Sequence, residues 1–177
     1  RRLDRDDGNG GQLRKIKMKN RIVTNSEDET RDLGGKLWRE NKKFWGKKAI
    51  VFALVGELGA GKTQLVKGLA KAMGVKDDVI SPTFTLEAEY DLGKLIHIDA
   101  WRIEDPKELL EIGFKKRIQE KKTIVIEWAD KVRDVLPNNI NDRSCKLVWV
   151  RLGYGKKEGD RIVNIDSRLR GNDNGRI

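Results

Sequence analysis

The strongest hydrophobic pattern in the chain is the uninterrupted apolar run from Ala49 to Val55. A run of this length is typical of a strand buried on both faces of a sheet. Beyond Thr63 the apolar residues recur at helical spacing along one stripe, and Gly74 suits the left-handed residue that ends such a helix. Further strands are predicted at residues 21–24, 84–90, 95–99, 123–128, 145–152 and 161–165.

Capping signals predict where the flanking helices begin. Ser26 and Glu29 have the spacing of a capping box, in which Ser26 caps the helix and Glu29 reaches back. Asp105 and Glu108 repeat this spacing, with Pro106 at the first helical position. Because strands alternate with helices, we predict the α/β class, as a three-layer α/β/α sandwich with a mixed, mostly parallel central sheet and antiparallel additions at its edges.

A glycine-rich loop joins the central strand to its helix. The segment Gly56-Glu57-Leu58-Gly59-Ala60-Gly61-Lys62-Thr63 fills the pattern G-x-x-x-x-G-K-[ST]. In this pattern backbone N–H groups converge on phosphate oxygens, Lys62 reaches the β- and γ-phosphates, and Thr63 offers its hydroxyl to Mg²⁺. The strand before the loop and the helix after it favour this interpretation over a chance turn. We therefore predict a P-loop NTPase fold with nucleotide contacts from Glu57, Leu58, Gly59, Ala60, Gly61, Lys62, Thr63 and Gln64.

Two apolar strands end in a carboxylate, and in α/β sheets the ligand lies beyond such ends. Asp99 is a candidate for holding Mg²⁺ or its water, the alternative being an aspartate that caps a turn. Glu127 is a candidate metal ligand, or a base that orients the attacking water. His97, the single histidine, is interpreted as a packed residue in preference to a catalyst, and Trp128 as part of the core.

Hydroxyl side chains surround a proline in the segment Ser81-Pro82-Thr83-Phe84-Thr85. Ser81 and Thr83 are candidates for hydrogen bonds to the γ-phosphate or its metal, bonds that a switch loop releases after hydrolysis. An ordinary Ser-Pro turn is the alternative.

Length and composition limit the remaining possibilities. The 177 residues fit one domain, and the single Cys145 cannot form an internal disulfide, which favours a reducing, cytoplasmic setting. Crossing a bilayer takes about 20 apolar residues, far more than the run Ala49 to Val55 offers, so we expect no membrane association.

The motifs G-E-L-G-A-G-K-T, S-P-T-F-T-L, H-I-D-A-W-R and I-E-W-A-D, in this order, resemble the TsaE (YjeE) family of bacterial P-loop ATPases. The resemblance spans roughly residues 22–152. Family members usually show H-F-D-L-Y-R where this chain has His97 to Arg102, and often E-W-P where it has Glu127-Trp128-Ala129. Neither departure removes a charged group.

The resemblance implies a cytoplasmic ATPase that uses ATP and Mg²⁺, releases ADP and is required for the threonylcarbamoyl modification of adenosine 37 in tRNA. In the family, a complex of TsaB and TsaD performs the transfer, and the TsaE protein binds and resets that complex, so tRNA is an indirect partner. Carried over by position, Lys62 binds the phosphates, Thr63 and Glu127 ligate Mg²⁺, and Asp99 is the acid important for hydrolysis. The segment 81–85 is the switch, and the helix start at 26–29 lies on the adenine side.

Three other functions were weighed against this one. A GTPase needs an N-K-x-D motif, and the chain has none. A small-molecule kinase would use the same lysine, metal and acid. A nucleotide-gated RNA-binding protein is suggested by the net charge of +10 and five tryptophans, but the tryptophans are scattered along the chain.

The charge is concentrated at the two ends. Residues 1–17 carry six basic and three acidic side chains, and residues 151–177 carry seven and four. These ends are interpreted as solvated tails in preference to a nucleic-acid arm. We predict a disordered extension at 1–17, a P-loop ATPase domain at 18–152 and a basic C-terminal strand and tail at 153–177.

Overall fold

The structure is a computed structural model that describes residues 21–137 and 143–166. The predicted extension at 1–17 and the tail after residue 166 lie outside the described residues. The elements are β1 (Arg21–Thr24), α1 (Glu27–Asn41), β2 (Ala49–Val55), α2 (Lys62–Met73), β3 (Glu87–Tyr90), β4 (Leu95–Asp99), α3 (Glu108–Glu111), α4 (Phe114–Gln119), β5 (Thr123–Glu127), β6 (Cys145–Tyr154) and β7 (Arg161–Asp166). Short 3₁₀ turns occupy Lys42–Phe44, Ala100–Arg102 and Ala129–Val135.

The strands form one mixed sheet in the order β1-β7-β6-β2-β5-β4-β3. The four central strands β6, β2, β5 and β4 are parallel to one another. β3 pairs antiparallel with β4 at one edge, and β7 and β1 add antiparallel pairs at the other. The prediction of a mostly parallel sheet with antiparallel additions is confirmed.

Helices cover both faces of this sheet, which makes the predicted three-layer sandwich. The strand β2 is buried and its side chains alternate between the two faces. Ile50, Phe52 and Leu54 pack with α1 and α2, whereas Val51 and Ala53 face the layer of α3, α4 and the turn after β5. Both faces of the central strand are therefore core, as its unbroken apolar run predicts.

Two predicted elements differ in detail from the structure. The strand predicted from residue 84 begins only at Glu87, because the backbone N–H groups of Thr85 and Leu86 close a turn onto the carbonyl of Pro82. The helix after Asp105 is two short helices, α3 and α4, because Gly113 between them has a φ of 87°. Such a left-handed residue ends a helix.

The capping box at the start of α1 is also modified. Ser26 accepts a hydrogen bond from the backbone N–H of Glu29, as predicted. The carboxylate of Glu29 reaches the backbone N–H of Asn25, one residue before the expected donor, at 2.7 Å. Hydrogen bonds thus run in both directions at the amino end of α1. They connect its first turn to Asn25, the residue that follows β1.

The boundary predicted after residue 152 falls inside β6. β7 is hydrogen-bonded between β6 and β1, so residues 153–166 belong to the same sheet as the rest of the fold. Cys145, the first residue of β6, is buried. Among the residues that the structure describes, no helix is long and apolar enough to cross a membrane.

The helices α1 and α2 approach each other closely through glycines. A Cβ atom added to Gly68 would lie 1.7 Å from the backbone carbonyl oxygen of Arg31, and one added to Gly34 would lie 2.1 Å from that of Leu65. Backbone atoms cannot move aside as a flexible side chain can. These two positions therefore set the distance between the helices, and α2 carries the glycine-rich loop at its start.

We expect Gly68→Ala to destabilise the protein by at least about 2 kcal/mol, because the two helices must separate to admit one methyl group. The intrinsic preference of a helix for alanine, about 1 kcal/mol, opposes this loss and does not cancel it. Equilibrium unfolding in urea measures the difference.

Gly35→Ala is the matched control. It lies in the facing helix, but its added Cβ would meet the flexible end of Arg39 at 3.1 Å and Ala72 at an ordinary 3.5 Å. We expect Gly35→Ala to change the free energy of unfolding by less than about 1 kcal/mol. Equal losses in the two variants would contradict the role given to the close approach.

Candidate active site

A cavity of about 630 Å³ opens beyond the carboxyl ends of the parallel strands. It is bounded by the start of α1, the glycine-rich loop and the first turn of α2, the ends of β4 and β5, and the connection between β6 and β7. A switch point of an open α/β sheet is where such folds bind ligands. Most of the predicted site residues line it: Leu58, Gly59, Gly61, Lys62, Thr63, Gln64, Ser81, Thr83, Asp99 and Glu127.

Two residues predicted to contact the nucleotide do not line the cavity. Ala60 is buried and packs in the core, and Glu57 is exposed. The side chain of Ala60 is therefore not accessible to a ligand. Gln64 lines the cavity while its side chain accepts a hydrogen bond from the guanidinium of Arg31 at 2.7 Å.

The loop places a buried ammonium group at the start of α2. Gly61 has a φ of 95°, a left-handed conformation that suits glycine and turns the chain into the helix. The Nζ of Lys62 donates to the carbonyl oxygens of Gly56 and Glu57 at 2.7 and 2.9 Å. Burial lowers the pKa of Lys62, and the nearby carboxylates of Glu127 and Asp99 act against that shift.

One oxygen of Glu127 receives two hydrogen bonds. Its Oε1 accepts from the hydroxyl of Thr63 at 2.9 Å and lies 2.9 Å from Nε2 of His97. His97 is fully buried, and its Nδ1 has no hydrogen-bond partner in the described part of the chain. A carboxylate oxygen only accepts hydrogen bonds, so a hydrogen bond at this contact requires the tautomer of His97 with its proton on Nε2. His97, interpreted from the sequence as a packed residue, is packed and also holds Glu127.

Asp99 ties the hydroxyl segment to the end of β4. Its Oδ2 accepts from the hydroxyls of Ser81 and Thr83 at 2.8 and 2.7 Å, and its Oδ1 accepts from the backbone N–H of Trp101 at 3.0 Å. Asp99 therefore caps a turn, which was the alternative to a role at the metal, and it also lines the cavity. The predicted switch residues Ser81 and Thr83 contact the very acid that lies next to Glu127 in the sheet.

Trp128 is half-buried: it packs against the core on one side, as interpreted, and it also lines the cavity, which that interpretation did not include. Its ring centroid lies 3.9 Å from Nζ of Lys62 and 4.5 Å from the ring centroid of Trp101. Its φ of 57° is left-handed, which is costly for a residue with a side chain and is typical of functional sites. The position of Trp128 directly after Glu127 was the available sequence signal.

The hairpin of β6 and β7 supports the loop from outside, which the sequence analysis did not foresee. The hydroxyl of Tyr154 donates to the carbonyl of Leu58, and the guanidinium of Arg161 donates to the carbonyl of Gly59 at 3.1 Å. Arg161 also lies over the ring of Tyr154, 4.9 Å from its centroid. No local motif marks these residues, because the contact joins segments about a hundred positions apart.

The residues at this site fit Mg²⁺ bound together with a nucleotide. Mg²⁺ is commonly held by one or two protein oxygens, several waters and the phosphates of its substrate. Thr63 and Glu127 offer such oxygens side by side, and Oε2 of Glu127 makes no hydrogen bond to the described residues. Within residues 21–137 and 143–166, no group of three or more histidine, cysteine or acidic side chains is arranged to hold a metal without a substrate.

Comparison with known proteins identifies the family. The family model described as threonylcarbamoyl adenosine biosynthesis protein TsaE matches residues 24–157. The chain belongs to the TsaE family. The match covers the loop, both carboxylate-ended strands and the start of the β6–β7 connection.

Individual relatives agree with the TsaE assignment. The tRNA threonylcarbamoyladenosine biosynthesis protein TsaE of Haemophilus influenzae is 41% identical over 126 residues, which are 70% of this chain and 67% of that protein. The protein of the same name from Aquifex aeolicus is 45% identical over 72% of this chain and 82% of its own length. The crystal structure of Bacillus subtilis YdiB shares the fold, with a TM-score of 0.62 over 84% of this chain and 85% of that one, at 22% identity.

We expect His97→Leu to weaken Mg²⁺-dependent nucleotide binding about tenfold while leaving binding without Mg²⁺ nearly unchanged. The reason is that Glu127 loses the donor that orients its carboxylate. His97→Gln retains an N–H donor and should recover part of the loss. Titration calorimetry with ADP, in the presence and in the absence of Mg²⁺, measures both effects.

Glu127→Gln provides the control background. If His97 acts through Glu127, adding His97→Leu to Glu127→Gln causes little further loss of Mg²⁺-dependent affinity. Additive losses would contradict the positioning role. Urea unfolding of each variant separates the loss of affinity from a general loss of stability.

Proposed function

We propose that this protein hydrolyses ATP with Mg²⁺ and uses the reaction in the tRNA modification for which its family is named. The observation that carries the proposal is the contact between Thr63 Oγ1 and Glu127 Oε1, at 2.9 Å, beside the buried ammonium of Lys62. These are the hydroxyl, the carboxylate and the cation that phosphoryl transfer to water requires at one place.

The roles follow from the positions of the side chains. Lys62 contacts the phosphates and neutralises charge that develops on them during transfer. Thr63 and Glu127 hold Mg²⁺, which when bound lowers the cost of that charge. The ring of Trp128 beside Lys62 limits where the ammonium can go, since cation and ring attract each other.

Asp99 and the segment Ser81–Thr83 form the proposed switch. Both hydroxyls lie on Asp99 and border the cavity, so a phosphate oxygen or metal-bound water can compete with the carboxylate for them. Exchange of these hydrogen bonds would couple the occupant of the cavity to the position of the segment. Phe84, 85% exposed at the tip of that segment, would move with it.

The biological role we propose is that of an accessory ATPase in the cytoplasm that binds and resets a transferase complex of TsaB-like and TsaD-like proteins. Support comes from the TsaE family membership and from the names of the relatives, which describe tRNA threonylcarbamoyladenosine biosynthesis. Contact with tRNA through that complex is indirect. Among the described residues that line the cavity, none favours a small-molecule kinase over hydrolysis.

We expect the protein to hydrolyse ATP slowly in the presence of Mg²⁺ and Lys62→Ala to lose at least about a hundredfold in rate. Lys67→Ala is the matched control, because Lys67 lies one turn further along α2 and faces the groove with α1 instead of the cavity. Release of phosphate measures the rate. An unchanged rate in Lys62→Ala would refute the proposal.

Addition of TsaB-like and TsaD-like proteins from the same organism should raise the ATPase rate several-fold, if the partners complete the site. In the same assay, multiple turnover of threonylcarbamoyl transfer to tRNA should require this protein and ATP. Transfer that proceeds equally with and without the protein would exclude the accessory role and leave the ATPase itself intact.

A further inference from the structure

Lysines cluster at the amino ends of the parallel strands, on the side of the sheet opposite the cavity. The parallel strands all begin there, and a lysine directly precedes three of them: Lys48 before β2, Lys94 before β4 and Lys122 before β5. Neighbouring strands are about 4.8 Å apart, so these starts are close together. We call the following residues the basic edge: Lys43, Lys47, Lys48, Lys121, Lys122 and Lys146.

Part of the basic edge surrounds one aromatic ring. The Nζ atoms of Lys43, Lys48 and Lys146 lie 5.3, 5.4 and 5.9 Å from the ring centroid of Phe44. Burial lowers the pKa of Lys146, and the positive charges of Lys48 and Lys43 lower it further, against Asp166 and Cys145. The like charges are therefore near enough to repel one another.

Acidic side chains do little to balance this repulsion. Leaving Lys146 aside, the ammonium groups of the basic edge have no carboxylate oxygen within 4.0 Å in the ranges 21–137 and 143–166. The acidic residues that precede these lysines in sequence face other lysines: Glu40 lies 4.0 Å from Lys36, and Glu120 lies 3.8 Å from Lys116. A polyanion would relieve the repulsion.

An exposed indole lies beside these lysines. Trp45 is 48% exposed, and its ring packs edge-on against that of Trp38, with centroids 5.7 Å apart. Trp45 is the first residue of the turn 45–47, which contains Lys47 and is followed by Lys48. A positively charged surface with an accessible aromatic ring suits phosphates and a stacked base, whereas an acidic protein surface would need no such ring.

We propose that the basic edge, together with Trp45, binds the phosphate backbone of RNA. The surface lies at the amino ends of the strands, and the cavity lies at their carboxyl ends, so the chain can hold RNA and a nucleotide at once. The proposal rests on the placement of these side chains and not on ATP hydrolysis. It adds a direct RNA contact to a protein whose proposed contact with tRNA is through partners.

The test compares two triple variants of the full chain with equal net charge. The edge variant is Lys43→Gln, Lys47→Gln and Lys121→Gln, and the control variant is Lys36→Gln, Lys107→Gln and Lys115→Gln. All six lysines are exposed. Affinity for an unmodified tRNA transcript is measured between about 50 and 200 mM salt, the range in which phosphate contacts are strongly salt-dependent.

We expect the control variant to bind tRNA nearly as the unaltered chain does and the edge variant to bind on the order of tenfold more weakly. The salt dependence of log K should become shallower by about one for each lysine that contacts a phosphate. Both variants should keep the melting temperature and the ATPase rate of the unaltered chain. Both also carry the same basic termini, whose contribution therefore cancels.

Equal weakening in the two variants would show that only net charge matters and would overturn the proposal. The proposal would also be overturned if the edge variant kept the tRNA affinity of the unaltered chain. The basic edge would then face an acidic protein or solvent instead of RNA. Failure of the unaltered chain to bind tRNA at 50 mM salt would overturn it as well. None of these results bears on the ATPase proposal, whose site is at the other edge.

Trp45 is tested separately with poly(U), whose bases are free to stack. We expect Trp45→Ala to lower the affinity about fivefold or more and Trp45→Phe to retain most of it. Equal affinity of all three proteins would remove the tryptophan from the proposed surface.

Discussion

The in-register parallel pairing of β2, β5 and β4 is the constraint on which the site depends. Leu54, Glu127 and Asp99 occupy one row across these three strands, and the glycine-rich loop follows one residue after Val55 ends β2. A slip of one residue would turn each side chain to the opposite face of the sheet. The strand interiors are apolar on both sides, so such a slip would bury a carboxylate among them, and burial of an unpaired charge is costly.

The buried charges at the end of this row support one another. Lys62, Asp99 and Glu127 are each at most 5% exposed, and each has specific hydrogen-bond partners. Glu127 is shared between α2, through Thr63, and β4, through His97. A group held from two elements is positioned more firmly than one held from a single element. The exchange of contacts that we propose for segment 81–85 therefore need not displace Glu127.

The sheet also separates two kinds of chemistry. Its carboxyl edge collects acids and hydroxyls around one buried ammonium, and its amino edge collects lysines with few carboxylates near them. The net charge of +10 was assigned from the sequence mainly to the chain ends. The strand starts Lys47–Lys48 and Lys121–Lys122 are far apart in sequence, and only their neighbouring strands make them one surface. The scattered tryptophans likewise form two pairs, Trp38 with Trp45 and Trp101 with Trp128.

Features that depend on neighbouring residues could be predicted from the amino-acid sequence alone. Local periodicity and backbone preference predicted five such features: the strand β2, the phosphate-loop pattern, the cap at Ser26, the left-handed Gly74 and the acids at strand ends. The same reasoning failed where a distant group decided the outcome. Trp128 is a large aromatic residue of the kind that fills a protein core. Its contacts with Lys62 and Trp101 form only when β5 lies beside β2 and β4.

Three further contacts likewise depend on the tertiary structure. They are the hydrogen bonds of Tyr154 and Arg161 to the loop, the pairing of His97 with Glu127, and the glycine contact between α1 and α2. Each joins residues between about 30 and 100 positions apart. Hydrogen bonds and packing contacts act over a few ångströms of space. No local sequence pattern indicates which residues will meet when they are this far apart along the chain. Local secondary structure can therefore be predicted from the sequence, whereas the partners of a buried charge are known only from the fold.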